Sequence, residues 1–168
     1  MNPNYIRINP NKKNIPIYSD ISPIRTHSGR NIVYPELSYK IIGILFEIHN
    51  ELGSRYQEKY YQRAIELSLN ENHILFEKEK MVPLIFKDIT IGKYFLDFVI
   101  ENKIALEVKT IDFFTKKDWR QVKGYLKSAN LELGILANFN SERLVYKRIL
   151  NSNFLHSDSF VKHSDRFG

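Results

Sequence analysis

The stretch YFLDFVI-ENK-IALEVK, residues 94–109, decides the fold of this chain. Two apolar runs flank a short polar turn, which is the pattern of a β-hairpin. Side chains alternate between the two faces of a strand, so Ala105, Glu107 and Lys109 share one face of the second run. Each predicted strand therefore carries an acid where a core residue is expected.

Charged groups on a buried strand are costly unless they are paired or bind a metal. If the hairpin places Asp97 beside Glu107, their two carboxylates can hold a hard divalent cation with Lys109 alongside. Such a cation polarises a phosphoryl oxygen and activates water, so the pattern is typical of phosphodiester hydrolysis. The alternative is a solvated strand face that carries one salt-bridged Glu–Lys pair.

The composition indicates an ordinary globular protein. The chain has 168 residues, 43% of them hydrophobic and 26% charged, which favours one domain with one core. It has no cysteine, which excludes disulfides, thiolate nucleophiles and cysteine-ligated metal sites, and the N-terminus shows no secretory signal. We therefore expect a cytoplasmic protein that makes no membrane contact.

The charge balance points to anionic partners. The formal net charge is +6, which favours nucleic acid, although many soluble proteins are similarly basic. No glycine-rich phosphate loop is present, so no nucleoside triphosphate is expected as a cofactor. The oligomeric state stays open, with a homodimer among the alternatives.

Periodicity predicts three regions: an N-terminal arm (1–34), an α/β domain (35–150) and a polar C-terminal tail (151–168). Within the domain, helices are predicted over 35–52, 57–71, 115–129 and 141–150, and strands over 74–81, 84–86, 91–100, 104–110 and 131–137. Pro83 predicts an edge strand or a bulge, because proline cannot donate a ladder hydrogen bond.

The predicted helix 115–129 is basic along one stripe. Lys116, Arg120, Lys123 and Lys127 recur at steps of four, three and four residues. Such a stripe suits contacts with a phosphate backbone, and its alternative is an ordinary solvated helix face. Gln121 and Tyr125 lie one turn apart beside the predicted buried face.

Taken in order, several short motifs resemble the GxxExxY family of the PD-(D/E)XK nuclease superfamily. They are Leu52-Gly53, Glu58-Lys59-Tyr60-Tyr61, Asp97, Glu107-Val108-Lys109, Gln121-Val122-Lys123-Gly124-Tyr125-Leu126 and Gly134-Ile135-Leu136-Ala137-Asn138-Phe139. The resemblance spans residues 36 to 150. It implies a restriction-endonuclease-like core, which is a mixed central sheet flanked by helices.

The resemblance also implies roles for single residues. Asp97 and Glu107 resemble the metal ligands, Lys109 the catalytic lysine, and Glu58 the helix-borne acid that completes the site. Gln121 and Tyr125 match a Q-x-x-x-Y element, and Mg²⁺, or Mn²⁺ in its place, is the implied cation. The glycine expected three residues before Glu58 is Arg55 here, with Gly53 two residues earlier. By itself, Glu58 also fits an acid that only complements a helix dipole.

Three hypotheses follow. The first is a metal-dependent nuclease, with DNA as the expected substrate. The second is a nucleic-acid-binding module without catalysis, in which Trp119, Tyr125 and Phe113/Phe114 stack on bases. The third is an interaction protein whose arm binds a partner.

Overall fold

The structure, a computed structural model, describes residues 32–154. Most of the predicted arm (1–34) and of the predicted tail (151–168) therefore lies outside the described residues. The elements are α1 (Pro35–Leu52), α2 (Glu58–Glu71), β1 (Phe76–Phe86), β2 (Ile89–Ile100), β3 (Ile104–Lys109), α3 (Lys116–Ser128), β4 (Leu133–Asn138) and β5 (Val145–Leu150).

The strands form one five-stranded sheet in the order β1-β2-β3-β4-β5. The β3–β4 pairing is parallel, with α3 between the two strands, and the other three pairings are antiparallel. The predicted mixed sheet flanked by helices is confirmed, and β3 lies at its centre.

The helices begin and end where local sequence signals place them. Gly53 ends α1 with a φ of 72°, a conformation that side chains disfavour. Thr115 and Asp118 form a capping box at the start of α3, in which the Asp118 carboxylate accepts from the Thr115 backbone N–H at 2.7 Å. The first signal ends α1 before the loop that leads to α2, and the second fixes the start of α3.

Each face of the sheet has its own apolar cluster. Ile104, Leu106 and Val108 pack with α1 and α2, whereas Ala105 packs with α3. The alternation predicted for this strand is thus confirmed. Glu107 consequently lies on the face that α3 covers.

The predicted last helix (141–150) is wrong, because residues 145–150 form strand β5 against β4. Tyr146 and Arg148 are half-buried while Val145 and Lys147 are exposed, which is the period of a strand. Tyr146 packs edge-on against Phe46 of α1. Pairing along the free edge of β4 outweighed the weak helical spacing of the apolar residues.

Strand β1 is continuous through Pro83, so the predicted break into two strands is also wrong. The predicted edge position is confirmed, since β1 is the outermost strand. The register with β2 shifts between Leu84 and Ile85, directly after the proline. Proline is tolerated at an edge because its missing N–H faces away from the neighbouring strand.

We expect Gly134→Ala to lower the free energy of unfolding by about 1–3 kcal/mol. A Cβ on Gly134 would lie 2.6 Å from Val122 Cγ1, in the contact between β4 and α3. Gly43→Ala is the matched control, because a Cβ there meets nothing within 4 Å. It should stabilise α1 by about 0.5–1 kcal/mol. Urea unfolding of both variants measures the contrast, and a neutral Gly134→Ala would contradict this packing.

Candidate active site

Asp97 lies where the pairing of β2 with β3 stops. The last paired residues are Phe98 and Leu106. One position further along this register, Asp97 stands opposite Glu107. The Asp97 carboxylate replaces the next ladder bond, because its Oδ2 accepts from the Val108 N–H at 2.8 Å. The two acids predicted from the hairpin therefore lie on adjacent strands at one end of their pairing.

Glu107 is buried, with 4% of its surface exposed, and has two side-chain partners. Lys109 Nζ lies 2.6 Å from Glu107 Oε1, and Gln121 Nε2 donates to the same oxygen at 2.9 Å. The other oxygen, Oε2, is buried without a hydrogen-bond partner. A buried carboxylate oxygen without a hydrogen-bond partner destabilises the folded protein. A cation bound to Oε2 would remove this cost.

The N-terminus of α2 brings a third acid to this place. Glu58 is the first residue of α2, and its charge interacts with those of Lys109 and Asp97. Gln62, one turn later, donates to Glu58 Oε1 at 3.5 Å and lies close enough to Asp97 to lower the pKa of that carboxyl. Gln62 thus links α2 to β2, a contact that no spacing in the sequence indicates.

Burial and neighbouring charges shift the pKa values of the ionisable groups at the site. Burial raises the pKa of Glu58 and of Asp97, and burial together with the nearby Asp97 raises the pKa of Glu107 to about 7. Burial alone would lower the pKa of Lys109, but its hydrogen bond to Glu107 and the carboxylate charges raise it. Lys109 is therefore held as a cation among three acids.

The donor set fits a hard divalent cation. When fully ionised, the three carboxylates and one ammonium leave a local charge of −2, which one divalent ion neutralises. Within residues 32–154, no three acid or histidine side chains already stand as a complete metal-ligand set. Lys109 is bound to Glu107 Oε1, so the buried and unpartnered Oε2 is the oxygen left for a cation.

The loop before α2 explains how Glu58 is positioned without a glycine at Arg55. The left-handed residue of this loop is Gly53, and Arg55 has no positive φ. Tyr61 is fully buried, stacks on Phe139, and donates from its hydroxyl to the Gly53 carbonyl at 2.6 Å. The turn therefore needs its glycine at position 53, where this sequence has it.

Asn138 fixes the loop after β3. Its side chain donates to the Ile111 carbonyl at 2.6 Å and accepts from the Ile111 N–H at 3.1 Å. Asn138 is buried at the end of β4, directly opposite Lys109 in the parallel register. Sequence reasoning missed this role for Asn138, because the residues in contact are 27 positions apart and share no motif.

Glu79 of β1 is a further acid near Asp97 that the sequence did not single out. It has a φ of 52°, and it and Asp97 face each other at a point where the β1–β2 ladder is interrupted. Side-chain alternation breaks here, because Leu96 and Val99 both pack in the cluster with α3. The charge of Glu79 contributes to the raised pKa of Asp97. The irregular backbone at Glu79 and Asp97 thus interrupts the regular alternation of side chains along β2.

The predicted residues of α3 divide into two groups. Lys116, Arg120, Lys123 and Lys127 are all exposed, as the stripe requires. Tyr125 is instead buried, packs edge-on against Tyr94, and bonds through its hydroxyl to Gln121. The prediction that Tyr125 contacts nucleic acid does not suit this position, because a buried ring cannot stack on a base. Tyr125 instead orients Gln121 toward Glu107.

In metal-free protein, we expect the free energy of unfolding to fall as the pH rises from about 4.5 through about 7. The reason is that folding raises the pKa of Glu107 from 4.5 to about 7, so the folded protein binds this proton more tightly than the unfolded chain. The raised pKa values of Asp97 and Glu58 act in the same direction. Glu107→Gln should flatten the profile. Urea unfolding in chelator at about pH 5 and about pH 8 tests this, and equal wild-type stability at both would contradict it.

Comparison with known proteins identifies the family of this chain. Residues 35–149 match the family model of the PD-(D/E)XK nuclease superfamily. The crystal structure of SSO0001 is similar with a TM-score of 0.47 and 19% identity, over 66% of this chain and 61% of that one. No curated protein matches the chain. The family match runs from the start of α1 into the last strand, and with the mixed sheet and its helices it confirms the predicted restriction-endonuclease-like α/β core. The chain belongs to the PD-(D/E)XK nuclease superfamily.

Proposed function

We propose that this protein is a divalent-metal-dependent nuclease that hydrolyses phosphodiester bonds in DNA. The observation that carries the proposal is the buried Glu107 carboxylate, which has one oxygen on Lys109 and the other without a partner. Buried polar atoms of a structural ion pair are usually hydrogen-bonded, so the unpartnered Oε2 favours a site for a cation. The order of Glu58, Asp97, Glu107, Lys109 and Gln121 along the chain supports placement in the GxxExxY group of the superfamily.

Asp97 and Glu107, with Glu58 across the site, are the residues we assign to hold Mg²⁺ or Mn²⁺. Magnesium is usually held by one or two carboxylates together with water and substrate phosphate, which matches this small set. When bound, the ion supplies Lewis acidity toward a phosphoryl oxygen and a water of lowered pKa. Gln121 connects Glu107 to α3, and we assign the exposed basic stripe of that helix to the substrate backbone.

Lys109 is the catalytic cation in this proposal. It remains protonated because Glu107 and its acidic neighbours raise its pKa. Its ammonium can contact the scissile phosphate and stabilise the negative charge that develops there. Gln121 holds Glu107 Oε1 from the side of α3, and Tyr125 holds Gln121 in turn. Gln121 therefore fixes the direction of the carboxylate.

A cleavage assay on the wild-type protein tests the proposal. Single-stranded and duplex DNA should be cut in Mg²⁺ or Mn²⁺ and left intact in chelator. Restored cutting after metal is added back would establish the dependence. Salt-sensitive DNA binding without turnover on any substrate would reject the nuclease and favour a binding module on the same fold.

The exposed basic stripe of α3 provides a separate prediction. We expect the double variant Arg120→Gln/Lys123→Gln to weaken DNA binding for every sequence, because phosphate contacts carry no sequence information. The slope of log affinity against log salt should decrease in magnitude by about one for each phosphate that the variant no longer neutralises. Lys147→Gln, an exposed lysine on β5, is the matched control. An unchanged salt dependence of binding in the double variant would show that Arg120 and Lys123 do not contact DNA phosphates.

A further inference from the structure

The stripe of α2 that faces the sheet becomes polar at its N-terminal end. Ile65 and Leu69 are fully buried and pack in the apolar cluster that joins α2 to α1 and the sheet. Glu58 and Gln62 continue the same stripe, because residues spaced by three or four positions share one face of a helix. Both are half-buried. The amide of Gln62 therefore lies on the side of α2 that faces the sheet, where a polar group needs a hydrogen-bond partner.

Gln62 contacts one acid of the proposed cation site and lies close to a second. Its Nε2 donates to Glu58 Oε1 at 3.5 Å, and its side chain lies close enough to Asp97 to lower the pKa that burial raises. Glu58 and Asp97 repel each other when both are ionised. An amide nitrogen carries two hydrogens, so a single neutral side chain can serve both carboxylates. Gln62 thus offsets the repulsion without adding a positive charge that would compete with a cation.

Gln121 makes the same kind of contact from the other helix. It donates from α3 to Glu107 Oε1 at 2.9 Å, while Glu107 Oε2 is without a partner. On α2, the Gln62 amide likewise donates to one oxygen of Glu58. Each of the two helices therefore supplies a neutral amide that holds an acid of the site by one oxygen, so that the other oxygen can face a cation.

We infer that Gln62 is a positioning residue, which holds Glu58 of α2 near Asp97 of β2 and thereby sets the affinity of the site for Mg²⁺ or Mn²⁺. The inference rests on the proposed function, because it requires a cation to bind among these acids. Without the amide, the two like-charged carboxylates would turn apart toward water, and a cation would have to draw them together again. Residues that orient metal ligands in this way typically contribute about tenfold to a hundredfold to metal affinity.

Gln62→Met tests the inference, because methionine keeps the length of the side chain and removes the amide. We expect this variant to raise the Kd for Mn²⁺, measured by electron paramagnetic resonance without DNA, about tenfold to a hundredfold. In cleavage, the Mg²⁺ concentration for half-maximal rate should rise by a similar factor, while the KM for DNA at saturating metal stays unchanged. Gln57→Met is the matched control, because Gln57 is exposed at the N-cap of α2 and its side chain makes no capping hydrogen bond. It should leave the Kd unchanged.

The outcomes separate this inference from the proposed function. An unchanged Kd for Mn²⁺ in Gln62→Met would reject the inference, and a lower melting temperature in chelator beside it would show that Gln62 only stabilises α2. An equal rise of the Kd in Gln57→Met would also reject it. Metal-dependent cutting by the wild type would leave the nuclease standing in both cases. A Kd that depends on Gln62, without cutting of any nucleic acid, would reject the nuclease alone, and a wild type that binds no Mn²⁺ would overturn both.

Discussion

Lys109→Ala is expected to lower the rate of DNA cleavage by about a hundredfold to a thousandfold, the usual effect of removing one group that stabilises transition-state charge. Lys109 is the cation beside Glu107, and Asp97 and Glu58 act on its charge. Its loss leaves no ammonium at the end of β3 to face the phosphate. Initial rates in Mg²⁺, compared with those of the wild type, measure the effect.

Lys103→Ala is the matched control for this experiment. Lys103 is an exposed lysine in the β2–β3 turn that pairs only with the exposed Glu101, at 3.3 Å. Its removal should leave the rate unchanged, because surface ion pairs contribute little. Cleavage by Lys109→Ala at the wild-type rate, in a sample that melts like the wild type, would exclude Lys109 from the chemistry.

Asp97→Asn should abolish both cleavage and stabilisation of the fold by Mg²⁺. Asparagine keeps an oxygen that can accept from the Val108 N–H, so the substitution removes charge while it preserves the hydrogen bond that ends the β2–β3 ladder. A ligand that binds only the folded protein raises its melting temperature in proportion to the logarithm of its concentration. The wild type should therefore melt higher as Mg²⁺ or Mn²⁺ is added, and the variant should not.

Glu107→Gln provides the companion measurement and Glu101→Gln the control. Glu107→Gln should also lose metal-dependent stabilisation, while in chelator at about pH 8 it should be more stable than the wild type because a buried charge is gone. Glu101 lies in the exposed turn, away from the buried carboxylate. Undiminished stabilisation by Mg²⁺ in both Asp97→Asn and Glu107→Gln would place the cation elsewhere.

The helices and the central strands could be predicted from the sequence because their signals are local. The capping box at Thr115 and the glycine at position 53 act within a few residues of the helix ends. The side chains along 104–109 alternate between the two faces of β3, and both faces are buried. Strand β5 could not be predicted in this way. Its six residues become a strand because β4 offers a free edge, and that edge exists only in the assembled sheet.

The two acids of the hairpin could be predicted because their signal is also local. The residues that hold the site in place could not. Asp97 and Glu107 stand out as acids in apolar strands, and a hairpin must bring such residues together. Gln62 and Asn138 are ordinary polar residues in sequence, and the groups they act on, Asp97 and Ile111, lie far from them along the chain. The burial of Tyr125 likewise depends on Tyr94 of the hairpin, which packs against it across the sheet–helix contact.

The parallel pairing of β3 with β4 has a consequence for the newly synthesised chain. A nascent polypeptide that ends before Leu133 already contains every acid of the site, but it lacks the strand that β3 pairs with along its whole length. That partner arrives only after the chain has passed through α3, and such long-range pairing forms late in folding. On the ribosome, the acids of the site are thus synthesised before the strand that aligns them, and the site cannot assemble until β4 has been made.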